Sequence, residues 1–168
     1  NEKGKTTKQD LRITVYEWQN KEKIVYSKEI KGVSLNKGMN ELKIPISAPE
    51  AKLWSVDDPN LYVCEVELSE GQNWVDKDSR RFGFRWFEAS GIGEDAVFRL
   101  NGKRIMLRSA ISWSFWPVNG IFPSEELAER QIRIAKELGL NMLNFHRFIG
   151  NTDVMNYADE LGLLYFEE

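Results

Sequence analysis

Glu137-Leu138-Gly139-Leu140-Asn141-Met142-Leu143-Asn144-Phe145-His146 and Glu160-Leu161-Gly162-Leu163-Leu164-Tyr165-Phe166-Glu167 are two versions of one phrase: a helix end, a glycine, and an apolar run that turns polar. The two glycines lie 23 residues apart, room for one helix, one strand and two short loops. Each suits the left-handed position that closes a helix, where a Cβ is strained. Each following run is long enough for a buried strand of a parallel sheet. Parallel neighbours need a crossover, and a helix between them crosses right-handedly in nearly every case. The stretch from Phe122 to Glu168 therefore predicts the beginning of a repeating β/α array.

Upstream of that phrase the signals agree. Ser124 suits an N-cap, and Glu125 and Glu126 suit the positive end of a helix dipole. Ala128, Ile132 and Ala135 recur at helical spacing, with Leu127, Ile134 and Leu138 expected to widen the same apolar face. Asn151 or Thr152 caps a second helix whose buried stripe is Val154, Ala158 and Leu161. Leu107 to Ser112 reads as the first parallel strand. Before it, Asn101-Gly102 between two apolar runs is a hairpin signal, because a type I′ turn needs positive φ at both positions.

The first half of the chain has a different period. Leu11 to Trp18, Ile24 to Ile30, Asn40 to Ile46 and Leu61 to Leu68 alternate apolar and polar residues, and Trp74-Val75 and Arg80 to Phe87 supply the last strands. Gly32 is expected to break the second of these. Pro45 cannot donate to a ladder, which places its strand at an edge. Short alternating strands between turns predict an antiparallel sandwich. The small, flexible stretch Ala89-Ser90-Gly91-Ile92-Gly93 marks the expected boundary with the β/α part.

Bulk properties limit the function classes. A net charge of −3 with dispersed Lys and Arg disfavours a nucleic-acid partner. The single Cys64 allows no intrachain disulfide, and the single His146 allows no His–His zinc pair. No metal and no cofactor is expected. No apolar run has the length of a membrane span, so no membrane partner is expected. The thiol count fits either the cytosol or a disulfide-free periplasmic protein, with a periplasmic or secreted setting preferred over the cytoplasm.

Three stretches then carry a resemblance. Leu53-Trp54-Ser55-Val56-Asp57-Asp58-Pro59-Asn60-Leu61-Tyr62, Arg81-Phe82-Gly83-Phe84-Arg85, and Phe98-Arg99-Leu100-Asn101-Gly102-Lys103-Arg104-Ile105-Met106-Leu107-Arg108 resemble, in this order, segments of glycoside hydrolase family 2, the β-galactosidase, β-glucuronidase and β-mannosidase group. The resemblance implies a multi-domain β plus α/β fold. Residues 1–90 become an immunoglobulin-like β-sandwich lacking its first strands, and residues 91–168 the first β/α units of a TIM barrel. It implies a retaining exo-β-glycosidase acting on a carbohydrate substrate through a covalent glycosyl-enzyme. The family's acid/base and nucleophile Glu fall beyond Glu168, so no catalytic residue is expected here and this chain alone should be inactive.

Barrel enzymes work at the C-terminal ends of their strands. Side-chain alternation there turns Leu143 and Phe145 toward the helices and Asn144 and His146 toward the barrel interior. The expected substrate-binding residues are Asn144, His146, Glu168, Trp113 and Trp116. For the two Trp a sugar platform and a hydrophobic plug both remain open. Asn144 stands where many family members have Arg, and His146 one place before a galactosidase-branch His, which argues against a standard β-galactosidase. Neighbouring Glu167 and Glu168 point to opposite faces and cannot form a catalytic pair, which needs carboxyls about 5–5.5 Å apart. Trp54 is expected to pack the end of the sandwich. Two other readings are a non-catalytic carbohydrate-binding or adhesion sandwich, and an unrelated α/β enzyme using His146 with Glu168. The open strand edges of an incomplete barrel invite homo-oligomerisation.

Overall fold

The computed structural model describes residue 1 and residues 5–71, 73–147 and 149–167. Two compact units emerge: Asn1–Ala51 with Leu61–Phe82, and Lys52–Asn60 with Gly83–Glu168.

The first unit is all-β and sandwich-like. Strands β1 (Thr7–Glu17), β2 (Asn20–Leu35), β3 (Tyr62–Glu70) and β4 (Asn73–Phe82) form one antiparallel sheet in the order β2-β1-β3-β4. Leu11, Ile13 and Val15 are buried on one face, opposite Leu68, Val66 and Cys64 of β3. The other face is ionic: Arg12 Nε lies 3.3 Å from Glu67, and Lys21 and Lys77 each approach Glu65 at 3.4 Å. Such partly exposed pairs contribute at most about 1 kcal/mol each, so the apolar row carries the stability. Cys64 is half-buried, and that burial pushes its thiol pKa up.

Three strand expectations are corrected. Gly32 does not end β2; at φ +64 it bulges, and its N–H donates to Asp10 Oδ1 at 2.8 Å. The expected strand Asn40–Ile46 is not in a ladder. Asn40 instead closes a local turn, accepting from Asn36 N and donating to the Asn36 and Gly38 carbonyls, and Pro45 removes a ladder donor. Arg80 to Phe82 continue β4 without a break, and the ladder stops before Gly83.

The second unit opens with an antiparallel sheet of β5 (Phe87–Ser90), β6 (Val97–Leu100) and β7 (Lys103–Ile105), with a 3-10 turn at Gly93–Asp95. Asn101 and Gly102 make the hairpin turn at φ 54 and 76. Then follow β8 (Ser109–Ser112), α1 (Glu125–Glu137), β9 (Met142–Phe145), α2 (Thr152–Leu161) and β10 (Leu164–Glu167). The three strands are parallel, in the order β10-β9-β8, leaving β8 and β10 as outer strands.

The helix boundaries follow from the capping chemistry. Ser124 accepts from Leu127 N, and Asn151 accepts from Asp153 N. Gly139 and Gly162 adopt φ 77 and 80 after the helices. Ala128, Ile132 and Ala135 of α1 meet Leu143, Phe145, Val154, Ala158 and Leu163 in one core. The expected widening of the α1 face is corrected at two of its three residues: Leu127 is half-buried, but Ile134 is 42% and Leu138 74% exposed.

Asn141 joins this core to the strand before it. Buried itself, it accepts from Arg108 N at 2.8 Å and donates to Met106 O at 2.9 Å. Arg108 thus precedes the N-terminal end of β8, with its Nε donating to Gly139 O at 2.6 Å.

Along the chain the first compact unit gives way to the second at Phe82/Gly83, and Lys52–Asn60 also belongs to the second. The cause is Trp54. It is fully buried, donates from Nε1 to Asp159 O at 2.7 Å, and accepts from Asn101 Nδ2 at 2.9 Å through its own carbonyl. Arg85 lies 4.2 Å over its ring and pairs with Asp159 at 2.8 Å. Gly83 permits this approach, because a Cβ there would meet Trp54 Cβ at 2.8 Å. Trp54 therefore packs the β/α unit and not the end of the sandwich.

Candidate functional site

The parallel register sorts the side chains at the C-terminal ends of the strands. Ser112, Phe145 and Glu167 share one row, and Ile111, Asn144 and Phe166 share the row before it. Phe145 belongs to the core under the helices, so its row faces them and the Asn144 row faces the opposite side. That opposite face is open: Ile111 is 61% and Phe166 52% exposed. Asn144 is half-buried between them, and its Oδ1 is buried without a hydrogen-bond partner among the described residues.

His146 follows β9 directly. Its N–H donates to Ser112 O at 3.2 Å, extending the ladder by one bond. The imidazole meets the indole of Trp113 edge-on, with ring centroids 4.7 Å apart and planes at 82°. Trp113 is 64% exposed, so the pair presents an apolar wall and a polar ring at the strand ends. Arg147 then takes φ 56, which turns the chain away.

The other expected site residues separate. Trp116 is bonded to Gly120 in both directions at 2.8 Å and packs against the helix-side core. It is half-buried and does not join the Trp113–His146 pair. Glu168 lies outside the described residues. Glu167 is on the helix-facing row, where its Oε1 accepts from Gly150 N at 3.0 Å. Gly150 is fixed there because a Cβ would come within 2.7 Å of the Phe145 ring.

One local network escapes sequence reading. Ser112 Oγ accepts from Gln131 Nε2 at 2.6 Å and from Ser114 N at 3.2 Å. Ser114 is buried at φ 48, in the left-handed region. The signal was present: Gln131 interrupts the inward stripe Ala128, Ile132, Ala135 with an amide, and a polar group facing a core needs a partner.

Among the described residues no three His, Cys, Asp or Glu side chains converge as a metal site requires. No described helix is long and apolar enough to cross a membrane.

The arrangement is that of a β-sandwich-like unit together with a unit built on a parallel β/α sheet. Comparison with known proteins gives the family. The family model for glycosyl hydrolases family 2 matches residues 1–85, half of the chain. A putative β-glucuronidase from Formosa agariphila is 34% identical over 117 residues, covering 70% of this chain and 14% of that protein. A β-galactosidase from Thermoanaerobacterium thermosulfurigenes is 34% identical over 120 residues, covering 71% and 16%. The crystal structure of Parabacteroides merdae β-glucuronidase superposes with a TM-score of 0.75 at 30% identity, covering 95% of this chain and 19% of that one. A family 2 glycosyl hydrolase from Bacteroides cellulosilyticus gives 0.79 at 27% identity, covering 97% and 22%. The chain belongs to glycosyl hydrolases family 2. It spans less than a quarter of the length of each of these relatives.

Proposed function

We propose that this chain is part of a retaining exo-β-glycosidase, with residues 1–90 as its immunoglobulin-like sandwich and residues 91–168 as the opening β/α units of its TIM barrel. The parallel order of β8, β9 and β10 with helices between them supports the barrel reading. The observation that carries the functional reading is the Trp113–His146 pair at the C-terminal ends of β8 and β9. In a barrel enzyme those ends form the substrate face.

In this reading the chain binds and orients sugar and does not cleave it. The exposed Trp113 face stacks on the apolar side of a pyranose ring. His146 and the unpartnered Asn144 Oδ1 meet hydroxyl groups, which supply donors that the buried oxygen lacks. Glu167 takes no part, being held by Gly150 on the helix side. Glu168 is assigned a hydroxyl or partner-orienting role by its position after Glu167. Trp116 supports the loop from below. The carboxylate pair that forms and hydrolyses a glycosyl-enzyme comes from outside these residues. The same reading extends to assembly: the outer strands β8 and β10 pair with a second copy, which sedimentation velocity reads directly.

His146 is the one histidine of the chain, so its ring protons are a unique NMR reporter. Titration of the 168-residue chain with glucuronate or galactose should shift those signals in the wild type and leave them fixed in Trp113→Ala. The chain alone should release nothing from aryl β-glycosides. Unmoved His146 signals at saturating sugar would remove the saccharide reading, and hydrolysis by the chain would remove the division of labour.

A further inference from the structure

We infer that Gln131 and Ser112 are positioning residues that hold Trp113 against His146. Trp113 lies between Ser112 and Ser114, and both flanking residues are fixed through one oxygen. Ser112 Oγ accepts from Ser114 N at 3.2 Å, which closes a tight turn around Trp113. Gln131, from the inward side of α1, donates to the same oxygen at 2.6 Å. Ser112 also reaches the other ring, because its carbonyl accepts from His146 N at 3.2 Å. One serine thus sets both partners of the 4.7 Å aromatic contact, its hydroxyl acting on Trp113 and its carbonyl on His146.

The turn is maintained against local cost. Ser114 has φ 48, a conformation strained for a residue with a Cβ. Ser114 Oγ and Gln131 Oε1 are buried without hydrogen-bond partners among the described residues. Strain and unmet polar groups gathered at one turn are what a fold tolerates when it fixes the aim of a neighbouring side chain. Without the Ser112 hydroxyl, Ser114 relaxes to an extended backbone and the exposed Trp113 ring swings free of the imidazole.

This inference rests on the reading of Trp113 and His146 as sugar contacts, but its test needs no sugar, so failure of one is distinguishable from failure of the other. The ring current of Trp113 displaces the His146 ring protons, and Trp113→Ala defines their undisplaced position. Ser112→Ala and Gln131→Met should carry the His146 signals most of the way to that position, with unchanged far-UV dichroism. Ser112→Thr, which keeps the hydroxyl, should return them to the wild-type position. Should Ser112→Ala fail to fold, Gln131→Met poses the same question from α1 with the Ser112 hydroxyl kept. The inference is overturned if Gln131→Met leaves the His146 signals where the wild type has them, or if Ser112→Thr displaces them as far as Ser112→Ala.

Discussion

The indole Nε1 of Trp54 donates to the backbone carbonyl of Asp159 at 2.7 Å. Asp159 lies in the last turn of α2, where carbonyls run out of intrahelical donors. The capping N–H of Gly162 and the N–H of Leu163 both go to Ala158 O, so Trp54 meets a group the helix leaves unpaired. Trp54→Phe should cost about 1–2 kcal/mol for that bond. Trp54→Ala should cost about 3–5 kcal/mol, because a fully buried ring leaves a cavity. Urea unfolding should place the midpoints in the order wild type, Trp54→Phe, Trp54→Ala; a Trp54→Phe midpoint equal to that of the wild type would refute the hydrogen bond's contribution.

Asn141 should prove as sensitive as a core residue. Its buried amide serves both Arg108 N and Met106 O. Truncation to Ala strands one donor and one acceptor together, at about 1–3 kcal/mol for each. Hydrogen exchange at Arg108 should accelerate in Asn141→Ala more than at amides of the first unit.

Two glycines with the same backbone conformation should behave differently. Gly139 has φ 77 and nothing within 4 Å of a built Cβ; Gly162 has φ 80 and Val56 O at 2.4 Å. Gly139→Ala should incur only the left-handed strain, a cost of about 1–2 kcal/mol. Gly162→Ala adds a clash with the Val56 carbonyl, which Lys136 Nζ also holds while donating to Gly162 O at 2.9 Å. Thermal melts should place Gly162→Ala well below Gly139→Ala.

Tyr165 predicts an alkaline limit. Burial, then the nearby Asp159 carboxylate, raises its pKa above the ordinary 10.0 in the folded state. The raised value means the folded chain keeps a proton that the unfolded chain releases. Its contribution is therefore complete below about pH 10 and is lost as pH climbs from there toward the folded value. Tyr165→Phe should flatten that part of the stability–pH curve, and an unchanged slope would assign it elsewhere.

The readability of the sequence varied with how local each cause was. The caps at Ser124 and Asn151, the closing glycines 139 and 162, and the Asn101-Gly102 hairpin depend on neighbours within a turn, and all formed as expected. The 40–46 stretch alternates well but loses its ladder to a side-chain turn at Asn36–Asn40. Ile134 and Leu138 sit on a helical stripe, yet a stripe does not say how many neighbours will cover it. The positions of Trp113 and His146 after strands are legible one at a time, but their 4.7 Å contact is a product of the fold. The packing of Trp54 is not legible because its partners, Asp159 and Asn101, are remote in sequence, and alternation carries no information about remote pairs.

The excursion of Lys52–Asn60 into the second unit has a consequence for dissection. The polypeptide leaves the first unit, contributes to the other, returns for β3 and β4, and only then departs for good. A cut at any one peptide bond therefore fails to liberate an intact half. Expressed from Gly83 onward, the β/α portion would carry a Trp-shaped hollow beside α2. A synthetic nonapeptide matching 52–60, added in trans, is the natural remedy.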